Sequence, residues 1–161
     1  MDIFWEELTY GLPDWRQLVH VVIRLAAAVI LGAILGFQRE RVGKPAGLRT
    51  HILVALGTCI FVLACSGYGM SSDGLSRVIQ GIVTGIGFIG AGSILKVKED
   101  RDIQGLTTAA SVWVAAAVGV SVGLGGLGLA LLGTLLALLV LTFGGAFEFG
   151  GDKPQNAKDA K

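Results

Sequence analysis

Ionisable side chains are scarce in the apolar stretches of this chain, which makes the few that occur there the first candidates for chemistry. His20 and Arg24 lie in the first stretch, and Arg39, Glu40, Arg41, Lys44, Arg49 and His51 crowd into GFQRERVGKPAGLRTH, between the first and the second. An arginine well inside a membrane span costs about 3 kcal/mol on insertion scales, so it faces protein or water. Arg24 sits about six residues from the end of its stretch, where a long side chain can also reach the interface. Two readings of it follow: an interfacial or structural pairing role, and a direct functional one. The charge knot from Arg39 to Arg49 could dock an acidic protein surface or anionic lipid headgroups. It could equally fix topology and pair with Glu99, Asp100 or Asp102 in another loop. Gly85-x-Gly87-x-x-Gly90 matches the dinucleotide fingerprint in form only, because no strand, turn and helix of a βαβ unit surround it.

What is missing narrows the chemistry further. All twelve Asp and Glu residues fall outside the apolar stretches or at their ends. Magnesium needs hard oxygen ligands, usually carboxylates, so a cation conduit built from this chain alone would rely on backbone carbonyls. No nucleophile with a base and an orienting group, no HEXXH pattern and no paired carboxylates are present, so an enzyme is not expected, and no cofactor or metal is implied. Cys59 and Cys65, about 9 Å apart along a helix axis, are beyond disulfide reach and read as buried thiols.

These residues require a membrane scaffold. The 161 residues are 53% hydrophobic and 16% charged, with a mean hydropathy of +0.71, against about 25% charged in soluble domains. Stretches near the roughly 20 apolar residues that a spanning helix needs fall at 18–37, 50–68, 78–95, 106–122 and 127–143. The fold expected is therefore all-α, a polytopic bundle of about five transmembrane helices. Four spans with a re-entrant segment is the competing topology. Ten Lys and Arg residues lie in the first and third connections and the tail, against Arg16 and Arg77 on the other side. The positive-inside rule then puts the N-terminus outside and the C-terminus in the cytoplasm. The acidic start (Asp2, Glu6, Glu7) is not a signal peptide.

Residues 1–17, with Phe4, Trp5, Leu8, Leu12 and Trp15, read as an interfacial segment or a disordered start. Residues 18–147 form the transmembrane domain, and 148–161 a disordered polar tail. In the first span His20, Arg24, Ala28, Gly32, Gly36 and Glu40 follow at i, i+4, a face small in its middle and charged at its ends. Thr107, Ser111, Ala115, Gly119 and Gly123 repeat this spacing in the fourth. The Gly-rich third span predicts either a central helix packed on several neighbours or a broken helix lining a site. The Leu-rich fifth is expected to be the most lipid-exposed.

The motifs GxxxGFQRE, GKPAGLRTHILV, GIGFIGAGSI and GLTTAASVW, in this order, make the chain similar to the transmembrane domain of the MgtC/SapB family of bacterial membrane proteins. The resemblance covers residues 24–122 and implies a five-span inner-membrane protein with its N-terminus outside. The family is associated with survival under magnesium limitation and in macrophages. Some members are implicated in restraining the ATP synthase, and others are called magnesium transporters. The candidate functional face that follows comprises Arg24; Gln38, Arg39 and Glu40; Gly47, Arg49, Thr50 and His51; Gly85, Gly87, Gly90 and Gly92; and Gly105, Thr107, Thr108 and Trp113. The chain departs from the family in carrying Gln38-Arg39 where Glu-Arg is usual, and in ending at Lys161, too soon for the cytoplasmic domain of virulence-associated members. The function expected is regulation of a membrane complex in adaptation to low magnesium or survival in macrophages. A small oligomeric magnesium transporter or channel is the alternative, and a structural oligomerisation module a third. Expected partners are the lipid bilayer, a membrane protein such as the ATP synthase or a transporter, and further copies of the chain, but not nucleic acid.

Overall fold

The computed structural model describes residues 3, 4, 6, 14–67, 69–96 and 103–148. They form five long helices, α1 (Trp15–Arg41), α2 (Leu48–Gly67), α3 (Ser72–Gly92), α4 (Leu106–Gly123) and α5 (Leu127–Glu148). Each contains a stretch long and apolar enough to cross a membrane. Between α3 and α4 lies a two-residue antiparallel pair, β1 (Leu95–Lys96) and β2 (Ile103–Gln104), with Leu95 opposite Gln104. The bundle is all-α apart from this clip.

Local chemistry sets the helix ends. Gly43, at φ 67, stops α1, and the Val42 and Gly43 N–H groups turn back to the Gln38 and Glu40 carbonyls. α3 starts six residues before the expected 78, because Ser71 caps it by accepting the Gly74 N–H and Asp73 suits its first turn. α1 likewise begins at Trp15, within the segment expected to be interfacial. Trp5, Leu8 and Leu12 of that segment, and residues 149–161 of the tail, lie outside the described residues.

Packing centres on α4, which touches all four other helices. Half of its span is buried, against 11% for α3 and for α5. α1 and α2 form an antiparallel hairpin on one side of it. A Cβ on Gly32 would stand 2.8 Å from the His51 carbonyl oxygen, and one on Gly36 2.7 Å from Leu48 Cα. The small middle of the α1 face is therefore a backbone-to-backbone seam. α2 and α4 run parallel in register, so Thr58 donates to the Ala116 carbonyl (3.2 Å) and Gly123 faces Val62. Ala28, Leu35, Cys59, Ala115, Val118 and Val122 fill the shared core. Both cysteines are buried free thiols, as expected.

Neither reading of the third span holds. α3 is one continuous helix on the flank, against α4 and α2, and the central place belongs to α4. A Cβ at Gly81, Gly85, Gly87 or Gly92 would meet nothing within 4 Å, and Phe88 is 83% exposed. Beside this face, α2 and α3 enclose an apolar cleft of about 390 Å³, lined by Thr58, Phe61, Val78, Ile82, Ile86 and Ile89. α5, on the other flank, is as exposed as α3 rather than more so.

Candidate functional site

The polar interior of the bundle collects at the end where α1 stops and α2 and α4 begin. Arg39 comes from the last turn of α1, His51 from the first turn of α2, and Thr108 and Ser111 from the start of α4. All four are buried, His51 completely. Arg39 Nη2 donates to Thr108 Oγ1 at 3.3 Å, His51 Nε2 lies 3.1 Å from Ser111 Oγ, and Ser111 Oγ donates to the Thr108 carbonyl at 2.8 Å. His51 Nδ1 lies 2.9 Å from the Gly47 carbonyl, which closes the chain of contacts back onto the α1–α2 connection. One such network ties three helices together at one depth.

Hydrogen counting sets the tautomer of His51 when its ring is neutral. A carbonyl oxygen only accepts, so Nδ1 carries hydrogen, and in a neutral ring Nε2 is then the acceptor. Ser111 has one hydroxyl hydrogen for two acceptors, Nε2 and the Thr108 carbonyl. We expect nitrogen-15 spectra of the neutral ring to show protonated Nδ1 and bare Nε2. Protonated Nε2 with bare Nδ1 would contradict this geometry.

Other candidate residues support the site from its edge. Glu40 Oε2 accepts the Leu48 N–H at 2.8 Å and so caps α2, and a Cβ on Gly47 would lie 2.9 Å from that oxygen. Gly105, at φ 96, turns into α4 where a side chain would strike the Ser93 carbonyl. Gly90 faces Ala109, with 3.5 Å left for a Cβ. Gln38 turns toward α5, its Nε2 donating to the Leu141 carbonyl at 3.2 Å while Oε1 is buried without a partner.

Several candidates stand apart from this cluster. Arg24 lies at the opposite end of the bundle, where Nη1 donates to the Gly123 carbonyl at 2.9 Å. Gly85 lines the cleft between α2 and α3, and a Cβ on Gly87 or Gly92 would meet nothing within 4 Å, so residues 85–92 do not close the site as a unit. Thr107 is exposed while Thr108 is buried, one residue having rotated the hydroxyl face by about 100°. Trp113 is 48% exposed, and Arg49 is exposed and Thr50 half-buried. Glu99, Asp100 and Asp102 lie outside the described residues. Sequence reasoning missed the pairing of Ser111 with His51; Ser111 stood in the i, i+4 series of its helix, but no local signal names a partner on a non-adjacent helix. Among the described residues no three His, Cys, Asp or Glu side chains gather as a metal site would require.

Comparison with known proteins identifies the family of the chain. The MgtC family model matches residues 25–149. Protein SrpB of Synechococcus elongatus is 43% identical over 140 residues, covering 80% of this chain and 75% of its own. The putative magnesium transporter YhiD of Escherichia coli K12 is 45% identical over 128 residues, covering 74% of this chain and 58% of its own. Protein MgtC of Brucella abortus is 43% identical over 126 residues, covering 78% and 52%. The chain thus spans only about half to three-quarters of the length of these relatives. No solved structure matches. With five helices long and apolar enough to span and a family match from residue 25 to residue 149, the chain belongs to the MgtC family and is a multi-pass protein of the bacterial inner membrane.

Proposed function

We propose that this protein regulates a larger membrane complex through contact at the Arg39–His51 end, in adaptation to low magnesium. The observation that carries this reading is where the interior polar groups go. Arg39, His51, Thr108 and Ser111 meet one another and the Gly47 carbonyl between α1, α2 and α4, and none of them lines the cleft between α2 and α3. Exposed Arg41, Lys44 and Arg49 surround that end, and this excess of basic residues supports a cytoplasmic placement. A rigid polar plug beneath a basic surface suits docking.

The transporter reading has one observation in its favour, the cleft between α2 and α3, together with the name of the Escherichia coli relative. Its walls are apolar, however, and α3 is unbroken, so no backbone carbonyls are freed to replace a hydration shell. Two measurements on the full chain test the proposal. Photo-crosslinkers at positions 41 and 44 in living cells are expected to capture one enriched membrane partner. Magnesium, potassium and proton flux in proteoliposomes is expected to match empty vesicles. Flux above that level would overturn the regulator in favour of the transporter.

A further inference from the structure

We propose that Arg39 and the first turn of α4 form a binding site for a phosphate group. This goes beyond the regulator reading and does not depend on it. Arg39 is 2% exposed, yet only one of its five N–H donors has a protein acceptor, the 3.3 Å contact to Thr108. Its Nε is sealed from solvent without a partner, and among the described residues no carboxylate pairs with it. A buried cation left in this way is strongly unfavourable unless an anion neutralises it. Glu40, its neighbour in sequence, forms no ion pair with it, and its Oε2 instead accepts the Leu48 N–H.

The helix end that Arg39 reaches has the same deficit. α3 begins with a Ser71 cap and an acidic first turn, and α2 receives the Glu40 carboxylate. α4, 18 residues long, begins at Gly105 with no side-chain cap and no acidic residue in its first turn. Its free N–H groups and helix dipole favour an anion there, and the exposure of Leu106 and Thr107 leaves the turn open from outside. A buried guanidinium and an uncapped helix N-terminus, bridged by Thr108, present diverging donors that suit the tetrahedral oxygens of phosphate.

The setting indicates where such a group comes from. α1, 27 residues and so about 40 Å long, overshoots a hydrocarbon core of about 30 Å, which brings its last turn to headgroup depth. Exposed Phe37, Val42 and Leu106 there present an apolar surface that suits the acyl region just below that depth. An anionic phospholipid headgroup and free phosphate share the required chemistry.

The test is the melting temperature of the full chain in phosphate-free maltoside detergent, with phosphatidylglycerol or inorganic phosphate added, alongside native mass spectrometry for retained lipid. Binding is expected to raise the midpoint by about 5 to 10 °C. Arg39→Gln should lose that shift and Arg39→Lys most of it. A variant with Arg41, Lys44 and Arg49 all changed to Gln, which spares the site, should keep it. A shift with the lipid alone assigns the site to a headgroup, and a shift with both additives assigns it to any phosphate. Equal shifts in wild type and Arg39→Gln, or loss of the shift in the triple variant, would overturn the proposal. Should neither Arg39 variant fold, wild-type protein that retains no lipid and gains nothing from either additive overturns it alone.

Discussion

Gly119→Leu is expected to remove most of the folded protein, at a cost of about 3 kcal/mol or more, whereas Gly85→Leu should stay within about 0.5 kcal/mol of wild type. Both glycines lie in spanning helices and both belong to small-residue series, so composition alone would rank them equally. The difference is what stands opposite. A Cβ at Gly119 overlaps the Ala55 carbonyl and the Thr58 hydroxyl of α2. The carbonyl is backbone and cannot turn away, and Thr58 is held by contacts to the Val54, Ala55 and Ala116 carbonyls. Making room would push α2 from α4, break the bond to Ala116 and disturb His51–Ser111 one end of the seam away. At Gly85 a side chain enters the cleft between α2 and α3, where a Cβ meets nothing within 4 Å. Reversible unfolding in detergent would check both, and similar losses at the two positions would mean that α3 is buried in an assembly.

That contrast explains what could be read from the residues and what could not. The spans were legible because a bilayer imposes length and apolarity on each helix separately. The α1 seam was legible too, since Ala28, Gly32 and Gly36 form one narrow stripe and a short connection brings α2 beside it. In α3, small residues permit close approach without requiring it. The glycines from Gly81 to Gly92 occur on several faces, and only Gly90 meets a neighbour, Ala109. Thr107 and Thr108 carry the same hydroxyl, and the rotation of α4 alone decides which is buried. The contact of His51 with Ser111 depends on α2 and α4 running parallel across an intervening helix, a relation written in no single stretch. Charge spacing thus pointed to the end where the buried polar side chains gather, and tertiary register selected the residues that meet there.

Arg24→Leu is expected to cost about 1–3 kcal/mol, the usual penalty for leaving a buried acceptor without its donor, with Arg24→Lys falling between it and wild type. The last carbonyls of α4 are consumed in order: Leu124 N–H takes Val120, Gly126 takes Ser121 and Gly125 takes Val122. Gly123 is left over, and Arg24 Nη1 reaches across from α1 to donate to it. The guanidinium also places positive charge at the negative end of the α4 dipole. Lysine would keep the charge but replace a planar fork by a point donor. If Arg24 instead served only to extend to headgroups, Lys would match wild type. Gly125→Val gives the independent check, since Gly125 has φ 89 and a Cβ there would lie 2.7 Å from Arg24 Nη2. Its loss should exceed that of Arg24→Leu, because the turn is strained and the guanidinium displaced together. In the double variant the two losses should combine to less than their sum, since the contact can be broken only once. Full additivity of melting shifts in nanodiscs would show that Arg24 and the α4 terminus act separately.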